Sequence, residues 1–335
     1  MALIAALGQH NIQLYRNPDL VSLGSGSFSS VYKGRYQGRD VAVKVSADPG
    51  ACDSLANEYV VGLKLGKHEN IAEMLHGFEC KANPRTVVLV MEYFYRDSQV
   101  EFIVGEDPTA MEVADYALQL FKALEYIHSK EFIHRDIHLA NVLVKRKPRV
   151  QIKLADFGVA IENSQLAGPF APESRCVTSY QFRSPECVNN LLVDAGLDMW
   201  SAAVTIYHLI LQHGFIFPPI QETHLNPNDF ASLNPEYIMV QHAYVLEKPA
   251  PASYRNLLYF DKNGFMSKRV ERKIKYKRDL LYGLVKKSEI AGKIQKKYEH
   301  WPKETANKYA GWINKLLVWE NRPTAAQMCQ VISSS

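Results

Sequence analysis

The hydrophobic pattern changes its period part-way along the chain, and that change limits the fold more than any other feature. From Leu20 to Phe94 the apolar runs are short and strand-like (Val31 to Arg35, Val41 to Val45, Thr86 to Met91) and bracket one helical stretch near Ser54 to Leu65. From Ala110 onward helical spacing dominates. Val113, Tyr116, Ala117, Leu120, Leu124 and Ile127 fall on one face of Glu112 to Ser129, and Leu197 to Leu211 is apolar nearly all round. A small sheet with one helix, followed by a larger helical body, is an α+β arrangement of two lobes. The length of 335 residues agrees, being more than one core usually organises. The helix 197–211 is expected at the buried centre of the larger lobe.

Composition removes several other classes. With 47% hydrophobic and 22% charged residues, 18 Gly and 16 Pro, the chain is compositionally an ordinary globular protein. It has no repeat of solenoid length. Cys52, Cys80, Cys176, Cys187 and Cys329 are widely spaced and form no C-x-x-C pair, so neither a disulfide framework nor a zinc site is expected, and a reducing compartment fits. Met1 to Leu7 lacks the basic flank of a signal peptide. Trp200 to Ile220 carries His208, Gln212, His213, Pro218 and Pro219, which suits a buried helix and not a membrane span. The net charge of +4 is uneven: between Lys262 and Tyr298, 13 Lys and Arg stand against three acids, a net of +10 that leaves −6 for the rest. Such a block suits an acidic protein partner, with nucleic acid the lesser option, or else it is a solvated helix face.

Three constellations carry chemistry. Leu23, Gly24, Ser25, Gly26, Ser27 and Phe28 lead into a strand at Val31, and two glycines two apart let backbone N–H groups approach phosphates, although a plain hairpin turn uses similar residues. In Val41-Ala42-Val43-Lys44 a lysine ends an apolar run, where a buried cation needs an anion; Glu58 on the following helix is the natural partner. His134-Arg135-Asp136-Ile137-His138-Leu139-Ala140-Asn141 precedes the apolar run Val142 to Val144, and Asp156-Phe157-Gly158 follows another, Ile152 to Ala155.

In order and interval this set resembles the eukaryotic protein kinase superfamily, over roughly Leu20 to Val331. Ser184-Pro185-Glu186 resembles its A-P-E, Asp198-Met199-Trp200-Ser201 the start of its central helix, and Arg322-Pro323-Thr324 its terminal R-P-T, whose arginine pairs with the glutamate of A-P-E. The resemblance implies a bilobal kinase-like fold with ATP and Mg²⁺ as cofactors and a protein as substrate. It implies that Lys44, positioned by Glu58, holds the ATP phosphates, that Asp156 and Asn141 bind the metal, and that Asp136 accepts the proton of the substrate hydroxyl. Leu23 to Phe28 would cover the nucleotide. Val31 and Ala42 would lie over the adenine, with Met91 as gatekeeper and Glu92 to Phe94 as the adenine-binding hinge. Residues 1–16 are then an N-terminal extension, 17–94 the N-lobe and 95–331 the C-lobe, with a basic insertion around 212–308. An intracellular site, cytoplasmic or nuclear, is expected.

The departures from the family matter as well. His138 stands where many serine/threonine kinases carry a lysine that contacts the γ-phosphate, which lends less charge to the transition state. Ser29 replaces the third glycine, and the stretch from Glu58 to His68 is one residue longer than the usual helix-to-loop pattern. These keep a pseudokinase or weak kinase acting as a scaffold in view. A small-molecule kinase of the aminoglycoside or choline kinase type, which shares the H-x-D-x-H-x-x-N pattern, is a further alternative. Arg135 implies phosphorylation of the activation segment, with Ser164, Ser174, Thr178 and Tyr180 as candidates. Ser179 replaces the threonine that contacts the catalytic loop in serine/threonine kinases. Arg183 resembles its counterpart in the cyclin-dependent and MAP kinase group.

Overall fold

The computed structural model describes residues 2–15, 20–25, 29–80, 85–166, 177–189, 193–212, 216–217, 235–255, 259–268, 270 and 284–335. Its first part is a helix α1 (Ala2–Gln9) and strands β1 (Ile12–Leu14), β2 (Ser22–Ser25), β3 (Ser30–Tyr36) and β4 (Arg39–Ser46), then helix α2 (Pro49–Leu65) and strands β5 (Met74–Cys80) and β6 (Thr86–Glu92). The strands form one antiparallel sheet in the order β1-β3-β4-β6-β5, with β2 also paired to β3. β3 and β4 are joined by Gln37 and Gly38, both at positive φ (49° and 79°), the two-residue turn whose twist matches a hairpin.

Side-chain alternation explains why this sheet is covered on both faces. Val41, Val43, Val45, Val88 and Val90 share one buried cluster with Leu7 and Ile12, while Val87 and Leu89 point the other way onto Cys52 and Leu55 of α2. The sheet could not leave either row in water. Helix α2 begins where Asp48 accepts the Ala51 N–H at 3.0 Å and Pro49 occupies the first turn. Residues 2–14, expected as an extension ahead of the lobe, therefore supply a strand and a helix to it. Their close approach depends on Gly34, where a Cβ would lie 2.9 Å from the Gln13 carbonyl oxygen.

The remainder is mainly helical. A short strand β7 (Arg96–Asp97) and a π-helical turn, Gln99–Val104, lead to α3 (Ala110–Ser129), whose N-terminus is closed by a reciprocal Thr109–Glu112 capping box. Four short strands follow, β8 (Phe132–Ile133), β9 (Val142–Lys145), β10 (Gln151–Leu154) and β11 (Ile161–Glu162), paired as β10-β9-β7 and β11-β8. The described helices after them are α4 (Pro185–Val188), α5 (Gly196–Leu211), α6 (Pro235–Leu246), α7 (Ala252–Arg255), α8 (Ile290–Lys297), α9 (Lys303–Leu316) and α10 (Ala325–Ser333). Helix α5 is buried from Leu197 to Ile210 and packs against α3, α8 and α9, the central position its all-round apolarity demands. Among the described residues no helix is long and apolar enough to cross a membrane.

The two parts meet through backbone as well as side chains. Leu154 N–H donates to the Asn70 carbonyl at 2.8 Å and Ala72 N–H to the Leu154 carbonyl at 2.9 Å, so the loop after α2 is fastened to β10. Cysteine spacing misled in one respect. Cys52, Cys80 and Cys329 are free, but Cys187 is disulfide-bonded, because distance along the chain does not report which sulfurs a fold brings together.

Ile12 is 4% exposed against the valine row. Ile12→Ala is expected to lower unfolding stability by about 2–4 kcal/mol, read by urea denaturation, whereas truncation of a dispensable tail would leave the midpoint in place.

Candidate active site

Lys44 lies opposite Val31 of β3 and Leu89 of β6, on the face of β4 that looks toward α2 and the larger lobe. Its Nζ is 2.8 Å from Glu58 Oε2 and 3.1 Å from Asp156 Oδ1, and the lysine is 8% and the glutamate 2% exposed. Burial alone pushes the ammonium pKa down, but the two carboxylates outweigh it and raise it above the ordinary lysine value, so Lys44 stays a cation. Burial pushes the Glu58 carboxyl pKa up, while Lys44 and the nearby Phe157 backbone N–H act in the opposite direction.

The loop after β8 hangs on one buried carboxylate. Asp198, in the first turn of α5, has no exposed surface and accepts the backbone N–H groups of His134 and Arg135, each at 2.9 Å, and lies 2.9 Å from His128 Nε2. Burial pushes its pKa up. The donors more than offset this and hold it below the usual carboxylate range. Arg135 and Asp156 both have left-handed backbone (φ 69° and 63°), a conformation held here by the surrounding hydrogen bonds. His134 lies 3.0 Å through Nε2 from the Ala155 carbonyl and meets the Phe157 ring edge-on at 4.8 Å, its pKa lowered by burial.

Asp136 is thereby aimed at the end of the activation segment. Its Oδ1 accepts the Ser179 N–H at 3.1 Å and the Ser179 hydroxyl at 3.0 Å. Oδ2 lies 3.3 Å from both His138 Nε2 and Asn141 Nδ2, and Asn141 Nδ2 donates to the Asp136 carbonyl at 2.9 Å. His138 Nε2 is also 3.1 Å from Asn141 Nδ2, so that nitrogen donates to Asp136 in one tautomer and accepts from Asn141 in the other. Burial raises the Asp136 pKa, but His138 and the Ser179 N–H outweigh it, so Asp136 lies below the ordinary aspartate value and is a carboxylate at neutral pH.

Of the remaining expected residues, Leu23 and Gly24 lie exposed in β2, and Val31, Ala42, Met91 and Phe94 are half-buried, with Ala42 registered opposite Met91. Ser25 pairs with Ser30 through the β2–β3 ladder; Gly26, Ser27 and Phe28 lie outside the described residues. Glu92 turns its N–H to the Glu73 carbonyl at 2.9 Å and its carboxylate to Lys153 at 2.9 Å. Asp156 pairs through Oδ1 with Lys44 while its side chain is 45% exposed, and a half-exposed carboxylate suits Mg²⁺, which keeps waters and takes phosphate oxygens.

Sequence reasoning did not find the anchoring role of Asp198, although a carboxylate in an otherwise apolar helix signals one. It also missed Asn57, whose side chain reaches the residues after Asp156. Among the candidate phosphorylation sites, Thr178 is fully buried with its hydroxyl donating to the Arg135 carbonyl at 2.6 Å. Tyr180 is largely buried, Ser164 is exposed, and Ser174 lies outside the described residues. Behind the site Arg322 donates twice to Glu186, at 2.6 and 3.0 Å, and stacks over Trp200 at 5.0 Å, tying the end of the activation segment to the last helices.

A small antiparallel sheet sits over a helical body, with a buried lysine–glutamate pair and two aspartates at their junction. Residues 19–331 match the family model described as the protein kinase domain, and the chain belongs to that family. It is 37% identical over 196 residues to serine/threonine-protein kinase TIO of Arabidopsis thaliana, covering 56% of this chain and 14% of TIO. It is 27% identical over 269 residues to serine/threonine-protein kinase PLK4 of Drosophila ananassae (74% and 33%) and 31% over 195 residues to serine/threonine-protein kinase mos of Patiria pectinifera (56% and 55%). The matched part is thus under two thirds of the length of each of these relatives.

Because the Asp198 carboxyl is held below its usual range, the stability it contributes is present above the unfolded aspartate pKa of about 3.9 and is lost as pH falls through the lower folded value. Asp198→Asn is expected to be less stable than wild type at pH 6 and to show a shallower loss as pH falls below about 4, measured by urea unfolding across pH.

Proposed function

We propose that this chain is a serine/threonine protein kinase that transfers the γ-phosphate of Mg-ATP to protein hydroxyls. The observation that carries this reading is the Lys44 cation held between Glu58 and Asp156, with the Asp136 carboxylate on the next loop. Lys44 takes the nucleotide phosphates, and Asp156 and Asn141 hold the metal, which supplies charge neutralisation when bound. Asp136 orients the substrate hydroxyl and receives its proton. Such residues act by position and electrostatics.

A protein substrate is favoured over a metabolite by the buried Glu186–Arg322 pair, since the motifs that contain these two residues belong to kinases of proteins. Ser179 on Asp136 supports serine and threonine as acceptors. The two lobes are read as residues 17–94 and 95–331. The basic stretch 262–298 is proposed to dock an acidic protein; Lys273, Lys275, Lys277 and Arg278 within it lie outside the described residues.

The test is transfer of labelled γ-phosphate to a mixed Ser, Thr and Tyr peptide library. Transfer to Ser and Thr is expected, falling at least about 10²-fold in Asp136→Asn and Asp156→Ala. Retained nucleotide binding without transfer would favour a scaffold. His138 sets a second expectation. A lysine at this position would bring a fixed positive charge toward the γ-phosphate, so His138→Lys should raise kcat at neutral pH several-fold. An unchanged kcat in His138→Lys would remove any role for the charge carried at this position.

A further inference from the structure

Asn57 lies one residue before Glu58 on α2. Its side-chain amide Nδ2 is 2.9 Å from the Ala160 carbonyl oxygen, 3.1 Å from that of Gly158 and 3.4 Å from that of Phe157. The carbonyl between them, Val159, accepts Arg135 Nε at 2.7 Å. Four consecutive carbonyl oxygens after Asp156 are therefore addressed by two side chains, one from α2 and one from the loop that carries Asp136. The approach is close: a Cβ on Gly158 would lie 2.2 Å from Ser54 Oγ, one helical turn before Asn57. Lys64, two turns further along the same face of α2, pairs with Glu162 of β11.

The far end of the segment is docked in the same manner. Thr178 donates to the Arg135 carbonyl at 2.6 Å and Ser179 to Asp136 at 3.0 Å. Both ends of the activation segment are thus fixed to the catalytic loop or to α2 by unmodified side chains. One of the hydroxyls that a modifying enzyme could target, that of Thr178, is buried in this contact.

We infer that Asn57 is a positioning residue. By holding the backbone of residues 157–160 it keeps Asp156 on Lys44 and the Phe157 N–H near Glu58, so the catalytic arrangement stands without a phosphate on the activation segment. This rests on the kinase reading above and adds to it a mode of regulation, constitutive assembly, together with the side chain responsible. The amide is suited to the task because it offers two donors and three of its neighbours are acceptors. A carboxylate of the same shape at position 57 would present an acceptor to those carbonyls and push the segment away.

The experiment uses the full chain, assayed for peptide phosphorylation before and after exhaustive phosphatase treatment, with mass spectrometry showing no phosphate remaining. Activity is expected to survive treatment within about twofold. Asn57→Ala should lower kcat/KM roughly tenfold, and Asn57→Asp further, with the melting temperature shifting alike in the two variants. In a Glu58→Gln background Asn57→Ala should add little, since both changes act through the same contact with residues 156–158. Loss of activity on phosphatase treatment would overturn the inference and leave the kinase reading intact, as would full multiplication of the two single effects. Absence of transfer before treatment would take down the kinase reading and this inference with it.

Discussion

A lysine cation enclosed between two carboxylates from different parts of the chain is the interaction to which the rest of the structure is fitted. Lys44 belongs to the sheet, Glu58 to α2 and Asp156 to the loop after β10; a shift of the sheet against α2 would leave a buried charge unpaired, and the half-exposed Asp156 brings the third element onto the same cation. The loss of one partner in such a group is far more costly than the net worth of the contact, which is why three elements distant in sequence are held in one register. On the Lys44 face of the sheet, Val87 and Leu89 pack with Cys52 and Leu55 of α2, which keeps that face out of water.

The second fixed point is Asp198. A carboxylate with no exposed surface inside the most buried helix is tolerable only because two backbone N–H groups and an imidazole face it. Those two N–H groups belong to the residues before Asp136, so the core of the larger lobe sets the position of the loop directly. Asp136 then receives its outer contacts from Ser179, and the segment that ends at Glu186 is fastened by Arg322. Helix core, catalytic loop and segment end are linked through three hydrogen-bonded groups.

Much of this was legible in the sequence because it rests on charges in apolar surroundings. A lysine closing Val41-Ala42-Val43 and the glutamate on the next helix are such a case, and the change of hydrophobic period divided the chain into sheet and helices. Other features depend on tertiary placement. Asn57 is an ordinary polar residue on an amphipathic helix until the Phe157 to Ala160 backbone is brought beside it. Residues 2–14 carry no strand pattern long enough to show that Ile12 completes the valine cluster, and Thr178 reads as an available hydroxyl until it is seen buried on Arg135. The bond at Cys187 likewise depends on proximity in space.

Nucleotide and metal binding at Lys44, Asp156 and Asn141 is the central proposal. The most direct test is a crystal structure with Mg²⁺ and a non-hydrolysable ATP analogue. A metal ligated by Asp156 and Asn141 is expected, with Lys44 Nζ on the phosphates and Glu58 still paired to it. Nucleotide bound elsewhere, or bound here with Asp156 and Asn141 unliganded and Lys44 turned away, would contradict it.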